Sequence, residues 1–488
     1  MIKILTNMKI KNSLSTNVKE LKKKLVSDDI TFLPLKADKT ECLLIFANDL
    51  INKDSVGELI LKPISNFKGN VSEENIVDLF FSPEKKRVKT VDEIISEIVS
   101  GSAVFLADGL SVAFSFGFKQ FEKRAITEPP TSTVIKGPRE GFVESLPVNV
   151  SLMRRRIKSP DLRFINVTVG KYSQTPVAIC YINGIASDEL VENIQKKLSQ
   201  ISVDAILDSS YISKFIGEHK TSLFKQVGNT EKPDILAAKI LEGRVAIFVD
   251  GSPIALTVPY LLIEDFQSAS DYYNSSYSAT VARTIRLISV FLSLFLPSFF
   301  IAAELFHLQM IPLSFLLTIV NSIKGIPLSP SHEMFFTLLI FEILNEASVR
   351  MPKYVGMVVS IVGGLVLGET AVTAGIISAP TLMIIALSGI CLYTVPELEQ
   401  TFSLIRLLFL IVAGSGGVYA LLVVIALMIT YLITFENYST PLCAPFSPLI
   451  PHDFQDGFFK EFAHEMKYRP KSLKNYNKRR QGKQIKGE

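Results

Sequence analysis

Four uncharged runs in the second half of this sequence constrain its fold more than any other feature. No charged residue occurs from Leu287 to Ala303, Tyr354 to Gly368, Thr370 to Pro396 or Leu407 to Phe435. A bilayer core takes roughly 20 apolar residues as helix, and soluble core helices seldom follow one another in runs like these. The chain is therefore expected to be an integral membrane protein. Its transmembrane domain is placed at 283–440, with spans near 287–306, 354–376, 379–396 and 407–435. Arg283 and Arg286 precede the first span. The tail at 441–488 carries Lys467, Arg469, Lys471, Lys474, Lys478, Arg479, Arg480 and Lys483. Basic flanks favour the cytoplasmic side, so both ends are expected there and the number of crossings is expected to be even, namely four.

Whether 311–350 crosses or is re-entrant stays open. Glu342, Glu346 and Arg350 stand at i, i+4 and i+8 on one helix face, which suits an interfacial helix, a re-entrant helix or a span whose charged face meets protein or water. The reading favoured is an element packed against the bundle. Ser360, Gly364, Gly368, Ala371, Gly375 and Ala379 form a small-residue stripe of the kind that lets helix backbones approach closely. Glu369 lies beside it, either near a span end or bonded locally, facing an ion path or subunit contact, or exposed to lipid. Gly414-Ser415-Gly416-Gly417, inside an apolar run, is expected to loosen or kink a span.

The first half reads as α/β. Residues 1–37 look like a mobile basic tail, followed by subdomains at 38–130 and 161–282. Val91–Val99 has helical spacing, Gly101 stops it, Ala103–Ala107 is a strand, Asp108-Gly109 turns and Ser111–Phe116 returns. The same order recurs in Pro233–Glu242, Gly243, Val245–Val249, Asp250-Gly251 and Ile254–Val258. In both, the glycine precedes the turn aspartate by the same interval, which suggests a duplication. The linker at 131–160 holds a helix with Leu146, Val150, Met153 and Ile157 on its apolar face. Its Arg154, Arg155, Arg156 and Lys158 make either a solvated polar face or a contact with a neighbouring subunit or anionic lipid.

No catalytic constellation or metal site stands out, and no cofactor is expected. His332-Glu333 begins like a zinc motif, but Phe336 takes the second histidine's place. Neither phosphate-loop glycine pattern occurs. Cys42, Cys180, Cys391 and Cys443 are scattered, as expected of reduced, individually packed thiols. With 51 basic and 47 acidic residues and no RNA or DNA motif, nucleic acid is not an expected partner. The start, Met1-Ile2-Lys3-Ile4-Leu5-Thr6, continues into Asn, Lys and Ser, so no signal peptide is expected and the first half is placed in the cytoplasm.

The stretch from Gly137-Pro138-Arg139-Glu140-Gly141-Phe142 through Arg154-Arg155-Arg156-Ile157-Lys158-Ser159-Pro160-Asp161-Leu162 resembles the signature of the A subunit of GerA-family spore germination receptors. Further matches are Thr230-Glu231-Lys232-Pro233-Asp234, Phe341-Glu342-Ile343-Leu344-Asn345-Glu346-Ala347, Arg350-Met351-Pro352 and Ser360 to Gly368. Lys232, Asn345 and Glu369 depart from the usual Arg, Arg and Gln. The last departure weakens any argument that a carboxylate is required there. The resemblance implies a subunit in the inner membrane of dormant spores, working with a transporter-like B subunit that holds the nutrient site and a lipoprotein C subunit. It further implies self-association into a cation channel. Gly364, Gly368, Glu369, Glu342, Glu346 and Arg350 become candidate pore or helix-packing residues. The alternative is a non-conducting scaffold that assembles the B and C subunits.

Overall fold

The computed structural model describes residues 8–69, 71–80, 82, 84–118, 136–351, 368–462 and 464–481. Its first half is α/β, with two five-stranded antiparallel sheets. In the first, β1 (Ile30–Ala37), β2 (Thr40–Ala47), β3 (Lys85–Val88), β4 (Ser102–Ala107) and β5 (Ala113–Gly117) take the spatial order β1-β2-β4-β5-β3. In the second, β6 (Leu162–Val169), β7 (Thr175–Ile182), β8 (Gly228–Thr230), β9 (Val245–Val249) and β10 (Ala255–Val258) take the order β6-β7-β9-β10-β8. The two orders are identical when the strands are numbered within each sheet.

Helices cover both faces of each sheet, which is why the central strands read as continuous apolar runs rather than alternating ones. On the first sheet, α1 (Leu14–Lys24) and α2 (Val91–Val99) bury Leu21, Ile94 and Ile98 against Leu43, Ile45 and Val104. On the second, α3 (Leu146–Arg156) stands where α1 stands in the first. α4 (Asp188–Ser199) and α5 (Ser209–Ile216) cover the opposite face, while α6 (Pro233–Leu241) matches α2. Gly101 and Gly243, at φ 90° and 108°, end α2 and α6 in the left-handed conformation that glycine adopts cheaply.

The repetition reaches individual hydrogen bonds. Asn17 clasps the backbone of Lys11 through its side-chain oxygen (3.0 Å) and nitrogen (2.6 Å), and Asn149 clasps Val143 in the same way (2.9 and 2.6 Å). The turn carboxylate Asp108 accepts from Leu14 N (2.8 Å) at the head of α1, and Asp250 accepts from Leu146 N (3.0 Å) at the head of α3. Gly109 N donates to Asn12 O and Gly251 N to Glu144 O.

These bonds correct two expected boundaries. The region read as a mobile tail holds α1 and β1, with Leu14, Asn17 and Leu21 buried. The helix read as part of a linker is the first helix of the second repeat, because its orphan N-terminal amide is satisfied by that repeat's own turn aspartate. The four cysteines are free, and only Cys443 is more than slightly exposed.

The second half is helical: α7 (Ser276–Phe306), α8 (Leu313–Ile323), α9 (Pro330–Arg350), α10 (Ala379–Leu392) and α11 (Glu399–Thr434). Among the described residues, two segments, Ser276–Phe306 and Pro396–Thr434, are long and apolar enough to cross a membrane. α11 is not straight. Thr401 Oγ1 donates to Leu223 O (3.0 Å) and Tyr431 OH to Ser222 Oγ (3.3 Å), yet these two residues would lie about 45 Å apart on a straight helix. The reversal comes at Gly417, whose φ of 65° and ψ of −159° leave the helical region. The glycine cluster thus does more than kink the element: it folds 399–416 and 418–434 into a hairpin of two arms. Each arm is about 26 Å long.

The end of the bundle nearest the second repeat can be called near. α7 runs from near to far, where Phe306 packs on Gly417. α9 begins far, with Ser331 beside Gly414, and comes near where Asn345 Nδ2 donates to Glu399 (2.6 Å). α10 starts far, with Ser378 held by Glu333, and ends near, with Tyr393 OH on Asn345 (2.8 Å). With the two arms of α11, the described residues trace five passes. Most of the expected span 354–376 lies outside the described residues.

Candidate functional site: a buried polar chain and an ion-pair joint

An apolar bundle has little tolerance for loose polar groups, so where it carries them is informative. Pro297 sits inside α7. Lacking an N–H, it leaves the carbonyl of Ser293 without its helical partner. Ser388 Oγ, on α10, donates to that carbonyl at 2.8 Å. Arg406 Nη1, on α11, donates to Ser388 Oγ at 2.9 Å, and Arg406 Nη2 donates to Glu342 Oε1 on α9. One proline therefore starts a hydrogen-bond chain that ties four helices together. Arg406 is 1% exposed and Ser388 fully buried, whereas the Glu342 side chain is 28% exposed, so removing the glutamate would strand the arginine's charge in a low-dielectric interior.

Farther from the second repeat, Glu333 Oε1 accepts from both the backbone and hydroxyl of Ser378 (2.7 Å each). The other oxygen of Glu333 and one oxygen of Glu304 are buried without hydrogen-bond partners among the described residues.

Ion pairs join the second repeat to the bundle. Asp271 receives both nitrogens of Arg286 (2.8 and 2.9 Å) and Nε of Arg283 (3.1 Å). Arg283 also reaches Asp456 beyond the last helix (3.0 Å). Lys225 bridges Glu397 (3.0 Å), ahead of α11, and Asp265 (3.6 Å). Glu264 meets Lys239 (2.6 Å) and Arg244 (3.1 Å). Burial pushes the Glu264 carboxyl up, but Arg244 and Lys239 more than offset it and hold it below the usual range. Burial also acts on Asp271, where Arg286 and the Ser268 amide reverse the sign and lower it. Between these pairs lies a cavity of about 690 Å³, lined among others by Lys225, Arg244, Tyr260 and Glu397.

The segment after α11 closes the joint. Tyr438 OH donates to Ile216 O (2.7 Å), Leu262 N donates to Leu442 O, and Arg469 Nε donates to Leu241 O (2.6 Å). Gly243 has no room for a Cβ because Asn475 would stand 2.9 Å from it. Much of the tail read from sequence as a basic flank is folded onto the second repeat.

The structure divides the residues singled out from sequence. Glu342 joins the polar chain. Glu346 and Arg350 pair with each other on an exposed surface. Gly368 is buried, with Leu382 3.3 Å from where a Cβ would stand, whereas Glu369 is exposed. Gly364 lies outside the described residues. Arg154 does not face a neighbouring subunit or lipid: it is 1% exposed, and its Nε and Nη2 both donate to Asp29 at 2.8 Å, locking the second repeat to the first. Arg155 and Arg156 share Glu140, and Lys158 is exposed. Sequence reasoning missed Arg406, treating it as the border of a span. The signal was an arginine one turn inside an apolar segment that needs a buried acid, with Glu342 available.

The model of the Bacillus/Clostridium GerA spore germination protein family matches residues 16–472. Spore germination protein KA of Bacillus subtilis is 34% identical over 97% of this chain and 89% of its own length. The uncharacterized membrane protein YfkQ of the same organism is 31% identical over 94% and 91%, and GerLA of Bacillus cereus 30% over 96% of each. Among solved structures, the crystal structure of the N-terminal domain of the A subunit of the Bacillus megaterium germinant receptor GerK3 is similar. It is 28% identical, with a TM-score of 0.41, and the match covers 53% of this chain and 98% of that one. With the family match running through both repeats and the helical half, this chain belongs to the GerA spore germination protein family.

Proposed function

We propose that this chain is the membrane-embedded A subunit of a germinant receptor in the inner membrane of the spore. In this reading it acts without enzymatic chemistry, beside a transporter-like B subunit and a lipoprotein C subunit. Copies self-associate, and their helices surround a gated cation path. The observation that carries the reading is the Pro297–Ser293–Ser388–Arg406–Glu342 chain. It places an ion pair with a buried arginine inside an apolar bundle whose near end is bolted to a folded soluble region, an arrangement suited to passing a movement of the soluble part into the helices. Support for both termini lying on one side comes from the return of the tail to the second repeat, which an even number of crossings requires. The small-residue segment at Gly368, packed on α10, suits close helix approach.

A scaffold that only assembles its partners has one observation in its favour: Arg406 is enclosed within a single chain rather than facing an axis. The test is cation flux in vesicles holding the chain with its partner subunits, triggered by nutrient, for the native chain and for Glu342→Gln. Nutrient-dependent current that changes in the variant while the complex still assembles supports the gated path. Full assembly without current contradicts it and leaves the scaffold.

A further inference from the structure

Among the described residues, repeat two differs from repeat one in showing a run of large apolar side chains to the outside. Leu207 is 68% exposed, Tyr211 44% and Phe215 46%, and their spacing of four places them along one side of α5 and its entry. Leu223, after the helix, is 45% exposed. Lys214 and Lys220 stand among them, also exposed. The inner side of the same helix is ordinary core, with Ile212 and Ile216 fully buried. Nothing in the packing of the repeat calls for aromatic residues on the outer side.

Position supplies the reason. The segment from Ile216 to Gln226 is held against the near ends of both α11 arms. His219 Nε2 lies 2.9 Å from Glu436 O, its ring packs 4.5 Å from that of Phe435, and Leu223 O accepts from Thr401. The exposed apolar side chains of the bundle, which include Leu404, Ile429 and Ile433, therefore stand on the same arms whose near ends meet the segment that carries Leu223. Apolar side chains mixed with lysines at the edge of an apolar band match the headgroup layer of an anionic bilayer, where rings sit at the boundary and ammonium groups reach phosphates.

We propose that the outer face of α5 with the segment to Leu223 is a membrane-surface contact. Tyr211, Phe215 and Leu223 enter the headgroup layer, and Lys214 and Lys220 meet lipid phosphates. This rests on the reading of α7 and α11 as membrane helices. The contact would hold the second repeat, and the ion-pair joint above it, at a fixed height over the bilayer.

The sequence contains no tryptophan, so a single introduced one reports its own surroundings. The full chain would be reconstituted in phosphatidylglycerol–phosphatidylethanolamine bilayers carrying bromine on the acyl chains, either close to the headgroup or close to the bilayer centre. Phe215→Trp and Tyr211→Trp, made separately, are expected to emit at shorter wavelength than a water-exposed control at Asp54→Trp. They are expected to lose more intensity to shallow bromine than to deep bromine. Leu427→Trp, on α11, should be quenched by acyl-chain bromine and checks the membrane reading itself. If Leu427→Trp is quenched while both α5 reporters emit as in water, the proposal is overturned and the membrane reading survives. Blue-shifted α5 reporters insensitive to bromine would mean that protein, a second copy or a partner, covers the face, which also overturns it. An unquenched Leu427→Trp removes the membrane reading and this contact with it.

Discussion

The two repeats share a sheet order, an asparagine clasp and an aspartate that caps the first helix, yet they face different neighbours. In the first, the crossover between β2 and β3 packs on its own sheet through Ile60, Ile64 and Phe80. In the second, the crossover between β7 and β8 carries α5 and Lys225 to the helical bundle, and the C-terminal segment returns to lie on the same repeat. The shared features are those that satisfy backbone groups and fill the sheet faces. The differences lie in connections and in charge placement, where a duplicated unit can change without losing its core. One copy is a scaffold, and the other is a scaffold and a docking platform.

The sharpest way to break that arrangement is at Arg154. Arg154→Ala leaves Asp29 buried without its partner and should cost about 3–5 kcal/mol. Denaturation of the full chain would then show the first repeat melting ahead of the rest. An unchanged, single transition would mean that the repeats are not held by this pair.

Asp49 works in the opposite direction. Burial, with Asp29 nearby, raises its carboxyl to about 6. A group raised in the folded state favours folding below its unfolded value near 4, and that contribution disappears as pH rises through about 6. Asp49→Asn should therefore stabilise the chain at neutral pH by up to about 3 kcal/mol and flatten the dependence of melting temperature between pH 4 and 6. A variant no more stable at pH 7 than the native chain would contradict this.

Gly417→Ala adds a Cβ 3.0 Å from the Phe306 ring at a positive φ, a cost of about 1–3 kcal/mol. It should loosen the α11 hairpin, read as faster proteolysis in detergent, without changing the α/β repeats. The smallest effects are expected at Asp108→Ala and Asp250→Ala, each losing a helix-capping bond of about 1 kcal/mol. Similar losses would sharpen the equivalence of the repeats, and a large effect at one with none at the other would break it.

Local grammar was legible in the sequence. α2 at Val91–Val99 and β9 at Val245–Val249 stand where their spacing places them, because apolar periodicity and the following glycine or turn act within a few residues. α1 was hidden by its lysines, although Leu14, Leu21 and Leu25 already marked its buried side. The role of Asp108 and Asp250 as caps spans about a hundred residues of chain and leaves no local trace. α11 was the deeper miss. Both arms are apolar, so hydropathy cannot sense a reversal, and only the glycine cluster marked it. Glu342 was visible as an acid on a helix face, but its partner, Arg406, depends on how α9 and α11 pack.

The helical half leaves the second repeat and returns to it, with α11 folded back at Gly417. Spin labels at Leu404→Cys and Ile433→Cys, after replacement of Cys42, Cys180, Cys391 and Cys443, measure this in bilayers by pulsed dipolar spectroscopy. A hairpin predicts a separation of about 20 Å or less, as for packed neighbouring helices. A separation of about 44 Å, the length of a continuous helix between those sites, would mean that α11 does not fold back at Gly417.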